Sequence, residues 1–246
     1  MIIAVLVMIR LGFWQMDRWH EENLKKDQIE AGLAAQPEPL EDLLGTLNAD
    51  SGEVPEDIRH QRVSASGEWL TDSEVLIRNH SQNGAPGGWL VTPLQIDENT
   101  AVAVVRGWLP LAVAIEGRPF QGAEPPTGDV LISGSVGLSQ TESRFGPEDP
   151  ANGELEEMAR IDIERYEQQL GVDLAPIWLT LDGMTPVQEG DLLLPVGTEL
   201  PSPTTNFSYM MQWFFFAAIF GGGYILILRK VALSKTAAKA PSEDHS

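Results

Sequence analysis

Cysteine is absent from the 246 residues. Its absence removes disulfide frameworks, thiolate-ligated zinc or copper sites, Cys-x-x-Cys redox pairs and thiolate nucleophiles. Positive charge is scarce: 16 Lys and Arg stand against 36 Asp and Glu, a net charge of −20. A chain this acidic repels nucleic acid and anionic lipid, so neither is a general partner. Histidine occurs four times (His20, His60, His80, His245), with no two at ligand spacing. There is no G-x-S-x-G elbow, P-loop, H-E-x-x-H or G-x-G-x-x-G. The sequence therefore assigns no catalytic residue and no metal site, and its carboxylates read as a solvated face. The bulk composition is ordinary, with 43% apolar and 21% charged residues, enough for a real core.

The charge is unevenly placed. Across 20–206 there are 33 Asp and Glu against 10 Lys and Arg, or −23; from Arg229 onward four bases meet two acids, or +2. Between these lies "FSYMMQWFFFAAIFGGGYILIL", 22 residues at 207–228 without a charge. A bilayer core needs about 20 apolar residues, so this run predicts a transmembrane helix. Phe207, Tyr209 and Trp213 suit the headgroup level, and Arg229 and Lys230 mark the cytoplasmic side. The glycines at 221–223 read as a helix-packing or bending feature.

The opening "MIIAVLVMIRLGFW" is shorter and carries Arg10. No base precedes it and no small-x-small site follows, which argues against a cleaved signal peptide. It reads as a second membrane anchor whose true start lies upstream of Met1. Arg10, costly in lipid, faces a partner helix or a water-filled cleft, or else snorkels to the interface. Gln15 and Gln212 read as inter-helix hydrogen-bonding residues, bonding across the two spans or to the helices of another protein. His20, just outside this span, is a candidate axial imidazole for a porphyrin iron, or else a solvated interfacial residue.

The expected organisation is an N-terminal anchor at 1–18, an extracytoplasmic α+β domain at 19–206, a transmembrane helix at 207–228 and a basic cytoplasmic tail at 229–246. Both termini then lie in the cytoplasm and the cell membrane holds the protein by two spans. Within the middle region, "HEENLKKDQIEAG" predicts a helix continuing the first span, with Glu21 and Glu22 four residues before Lys25 and Lys26. "LEDLLGTL" predicts a short helix. "RVSASGEW", "EVLIRN", "WLVTPLQI", "AVAVVRGWLPL", "DVLISGSVGL" and "APIWLTLDG" predict strands separated by Gly, Pro and Asn turns, hence a β-rich antiparallel or barrel-like domain. Residues 141–154 read as an open acidic loop. "LEEMARIDIERYEQQLG" predicts the one main amphipathic helix, stopping at Gly171.

Three islands together resemble the surfeit locus protein family, membrane proteins that assist assembly of cytochrome c oxidase. In "RLGFWQMDR", Leu11, Gly12, Trp14, Gln15 and Arg18 match the family pattern, with Met16 in place of Leu. In "APGGWLVTPL" and "VVRGWLP", Gly87, Thr92, Pro93, Leu94, Arg106, Gly107, Trp108 and Pro110 match. In "NFSYMMQWFFFA", Ser208, Tyr209 and Trp213 match. The resemblance implies a non-enzymatic factor for an aa3-type oxidase, meeting its core subunit and the membrane lipid. It would assist haem a insertion or stabilise that subunit, with haem a bound transiently. Many members carry a histidine where this chain has Asn206, a position proposed as a haem ligand. The candidate cofactor-binding residues are then His20, Arg10 and Arg106, the last reaching haem propionates, headgroups, a partner carboxylate or an internal ion-pair partner. The competing readings are a permanent accessory subunit of a respiratory oxidase without haem transfer, and an extracytoplasmic sensor or solute-binding module. A tail of about 18 residues is too short for an output domain, which disfavours the last.

Overall fold

The structure, a computed structural model, describes residues 1–49, 54–140, 147–198 and 200–238. Part of the predicted loop at 141–154 and the end of the predicted tail, including His245, lie outside the described residues. The chain divides into two units, Glu30–Thr198 and a second one joining Met1–Ile29 to the C-terminal segment.

In the larger unit the strands are β1 (Glu38–Pro39), β2 (Arg62–Trp69), β3 (Val75–Arg78), β4 (Gly87–Gln95), β5 (Thr100–Pro110), β6 (Val130–Leu138), β7 (Glu157–Met158) and β8 (Asp173–Thr185). Their order is β1-β2-β6-β8-β5-β4-β3-β7, and β2 also pairs with β4 through Glu68–Gln95 and Trp69–Leu94. That last pairing closes β2, β6, β8, β5 and β4 into a ring. The result is a five-stranded barrel, with β3 and β7 continuing outward from β4.

The sheet is mixed, which corrects the antiparallel expectation. β5 runs parallel to β8, β3 to β7 and β1 to β2. Parallel neighbours need long crossovers, and the β5-to-β8 connection supplies one by way of β6 and the outer arm. Burial explains why β5 reads as the unbroken apolar run "AVAVV". Val102 and Val104 face one core, while Ala101, Ala103 and Val105 face another. A strand covered on both sides loses the usual polar alternation.

All five ring strands contribute to the first core, which fills the barrel. Helix α2 (Leu40–Ala49) plugs it with Leu40 and Leu43, as "LEDLLGTL" predicts. The second core lies outside the ring, where β3, β7 and α4 (Ile163–Glu167) cover β5 and β8. A third, smaller core gathers Leu90, Leu109, Phe120 and Ala123, together with α3 (Leu111–Ala114).

The predicted long amphipathic helix is not formed. Met158 sits in β7, paired parallel to β3, and only five residues, Ile163–Glu167, are helical. The backbone upstream is claimed by side chains: Asp149 accepts from Ala159 N at 2.9 and 2.8 Å, and Gln169 bonds both N and O of Leu155. Asp162 then caps the short helix by accepting from Arg165 N. Such local polar bonds compete directly with helix formation.

The smaller unit contains most of α1 (Ile2–Ala34) and all of α5 (Thr204–Ala238). Within α5, Thr204–Val231 is the one stretch among the described residues long and apolar enough to cross a bilayer. The helix runs on past Arg229 and Lys230, so the start of the predicted tail is helical. The continuation of α1 beyond His20 follows the expectation, but Glu21 and Glu22 both lie 3.5 Å from Arg18.

Candidate functional site

Arg106 lies on β5 two residues beyond Val104, on the face that lines the barrel, and is 5% exposed. A buried guanidinium must have its charge balanced and its N–H groups bonded. Both conditions are met. Its Nη2 pairs with the Glu74 carboxylate, its Nε donates to Thr92 Oγ1 at 2.8 Å, and its Nη1 donates to Ala123 O at 2.7 Å and Gln188 Oε1 at 2.9 Å. Thr92 in turn donates to Glu74 Oε2 at 2.6 Å. The guanidinium carbon stands 5.8 Å from the Trp69 ring centroid, within cation–π range. Burial pulls Arg106 below its ordinary pKa and Glu74 opposes that pull; an arginine stays cationic throughout.

Above this pair opens a cavity of about 610 Å³, lined among others by Asp72, Arg118, Phe120 and Glu124. Arg118 donates to Glu74 O at 2.6 Å and Asp72 O at 3.2 Å, and its other end lies 3.9 Å from Glu156. Tyr166, fully enclosed, donates to Ser73 O at 2.7 Å, and burial beside Glu74 pushes its hydroxyl well above the ordinary value. The cavity wall thus mixes two guanidiniums, several carboxylates and an aromatic ring. It can hold a polar ligand or a partner's side chain. Among the described residues no three His, Asp or Glu converge as a metal site would need.

The matched motif residues divide between the two units. In the larger unit, Gly87, Pro93, Arg106, Gly107 and Trp108 lie on β4 and β5. Gly87 is glycine because a Cβ would meet the Trp108 ring at 2.5 Å and Leu109 O at 2.1 Å. Trp108, 3% exposed, donates Nε1–H to His80 O at 2.7 Å, and its backbone bridges Leu194 in both directions. Pro93 O accepts from Leu70 N at 2.9 Å, holding the end of β2 against β4. These residues fix the strand pair that presents Arg106.

Gly12, Trp14, Gln15, Arg18, Tyr209 and Trp213 lie in the helix unit. On α1, Val5, Met8, Gly12, Gln15 and Trp19 form the covered stripe at alternating three- and four-residue spacing. A Cβ on Gly12 would stand 2.8 Å from the Phe214 ring, so glycine permits the close approach. Phe13 meets Phe214 edge-on at 5.4 Å, Trp19 meets Phe207 at 6.0 Å, and Gly221 faces Val5. The two helices therefore run antiparallel. Gln15 Oε1 is buried without a hydrogen bond and Gln212 is exposed, so the two glutamines do not bond to each other across the helix pair. Trp14 and Tyr209 are about half exposed, and Arg10 and His20 are exposed on α1. Trp213 is half-buried and meets Phe216 edge-on at 6.4 Å.

For haem iron the helix pair offers one imidazole, His20, next to Trp19. Asn206, next to Phe207, offers an amide, which is not a haem ligand. Arg106 has its guanidinium committed inside the barrel unit. Its partner Glu74 was not legible from the sequence: it carries no motif and lies 32 positions away.

The larger unit is thus a closed β-barrel extended by β3 and β7, and the smaller one carries a helix long and apolar enough to cross a membrane. Residues 2–218 match the SURF1 family, and the chain belongs to that family, known broadly as cytochrome oxidase assembly factors. It is 23% identical over 227 residues to a SURF1-like protein of Rickettsia bellii, covering 88% of this chain and 84% of the relative. A SURF1-like protein of Rickettsia felis is 22% identical over 240 residues, covering 94% and 96%. An uncharacterized SURF1-like protein of Mycobacterium tuberculosis is 26% identical over 241 residues, covering 95% and 83%.

Proposed function

We propose that this protein is a membrane-bound assembly factor for an aa3-type cytochrome c oxidase, assisting haem a insertion into the core subunit or stabilising that subunit. It works by binding and carries out no catalysis. The observation that carries the reading is the SURF1 family match, which runs from the first helix through the barrel and into α5. In this reading α1 and α5 both span the cell membrane, the termini are cytoplasmic and the acidic body faces outward. The antiparallel pairing of α1 with α5 supports that topology, and Arg229 and Lys230 at the far end of the apolar run support its orientation. Haem a is cargo, with His20 the imidazole that the described helix pair offers its iron.

The test is deletion of the gene followed by reduced-minus-oxidised spectra of membranes. Loss or a large decrease of the haem a band, with reduced oxidase activity, is expected. An unchanged band and normal activity overturn the assignment. Protease added to intact spheroplasts should digest the acidic body; a body protected until lysis overturns the topology.

A second reading, a permanent oxidase subunit without haem transfer, draws support from Asn206 and from the internal commitment of Arg106. Fixed-stoichiometry co-purification with mature oxidase selects it over a transient factor.

A further inference from the structure

We propose that Arg10 docks the open face of α1 against a transmembrane helix of another membrane protein, one that carries a carboxylate near the bilayer midplane. The inference rests on the two-span reading above and adds a partner contact to it.

The depth of Arg10 follows from the pairing of the two helices. The helix contacts are Val5 with Gly221, Gly12 and Phe13 with Phe214, and Trp19 with Phe207. Each pair of numbers adds to 226 or 227, so Arg10 lies level with Phe216 or Ala217. The apolar stretch Thr204–Val231 has its midpoint beside Ala217. Arg10 therefore sits at mid-span, roughly 15 Å from either interface of a ~30 Å core. That exceeds the reach of its side chain, so a lipid phosphate is a poor partner.

Ile3, Val7, Arg10, Trp14 and Asp17 occupy the exposed face of α1, opposite the covered stripe Val5, Met8, Gly12, Gln15 and Trp19. Ile3 is 78% exposed, Val7 51% and Trp14 51%. Arg10 thus points away from α5.

No Asp or Glu occurs in Met1–Met16 or between Thr204 and Leu228. Asp17 shares the open face, but seven residues along a helix is about 10.5 Å, too far for a direct pair. A second copy docking by the same face would set Arg10 against Arg10. A buried intramembrane cation needs a counter-charge or bonded acceptors, and neither of these two stretches supplies a carboxylate for it.

The absence of cysteine makes the test clean. In the full chain in its native membranes, Val7→Cys should resist a membrane-impermeant maleimide from both sides until detergent is added; ready labelling would overturn the two-span reading itself. With shielding established, a benzoylphenylalanine at Val7 is photo-crosslinked. The expected adduct joins a second membrane protein at a peptide carrying Asp or Glu inside a transmembrane segment. Its yield falls about tenfold in Arg10→Leu, in line with intramembrane polar contacts, and is kept in Arg10→Lys. Adducts only to lipid or to a second copy, an adduct peptide without an acid, or a yield unchanged in Arg10→Leu would each overturn the inference while leaving the spans intact.

Discussion

Glu74 and Arg106 illustrate how one buried ion pair can organise several segments. The pair ties β5 to β4 through Thr92, to the third core through Ala123 O, and to the segment after β8 through Gln188. Removing one partner leaves the other charge buried alone, which costs about 3–5 kcal/mol. Glu74→Leu in the full chain should therefore lower the body's unfolding midpoint markedly, followed by tryptophan fluorescence in denaturant. Glu74→Leu combined with Arg106→Met should recover most of the loss, since apolar replacement of a buried pair is often neutral or better. A double variant as unstable as the single one would refute that account. His60 provides the pH dependence. Burial, and next the Arg59 charge, hold its imidazole below the ordinary 6.5. The unfolded chain therefore binds the proton more readily, and stability present at neutral pH is lost as pH falls below about 6.5. His60 has φ 68°, so the substitution that keeps the left-handed backbone is His60→Asn. Thermal scans from pH 7.5 to 5 should lose less stability in His60→Asn than in the parent.

At the scale of elements, the same segment accounts for both the fold's main surprise and its anchoring. Asp149 binds Ala159 N with both oxygens and Arg78 at 2.7 Å, pinning β7 to β3. Asp149→Ala should cost about 1.5–3 kcal/mol locally, as lost bonds to a charged group do. Hydrogen exchange should speed up across 157–163 and stay unchanged in β5. The helix pair has its own test. Val5→Cys with Gly221→Cys should form an intramolecular disulfide on oxidation, and adding Gly12→Leu, which forces the Phe214 ring away, should suppress it. These elements also mark where sequence reasoning succeeds. α5, α2 and the run of strands were legible because each has a strong local signature: a charge-free stretch, an amphipathic octet, apolar runs broken by turns. The long helix at 155–171 was misread because its three- and four-residue apolar spacing also fits a strand, a capped turn and one short helix that bury Met158, Ile161, Ile163 and Tyr166. The β2–β4 pairing meets the barrel-like half of the expectation, whereas the parallel pairings and the Glu74 partner are long-range matters without a local mark. Of the site, Arg106 was legible through its motif, and its surroundings were not.

At the scale of the whole molecule, the −23 carried across 20–206 is the dominant property. Like charges at this density repel within the folded body. Raising salt from about 0.01 M to about 0.15 M shortens the screening length from about 30 Å to about 8 Å. The body's unfolding midpoint should rise over that interval, and a midpoint that falls would show that attractive ion pairs outweigh the repulsion. The same field steers basic surfaces toward the body and turns acidic ones away, so association with a basic partner should slow as salt is added.

The two end strands of the sheet, β1 and β7, are each two residues long. Neither offers enough free backbone to recruit a visiting peptide as an added strand, and neither can seed stacking between copies. At either end of the sheet, then, recognition falls to side chains and surface shape.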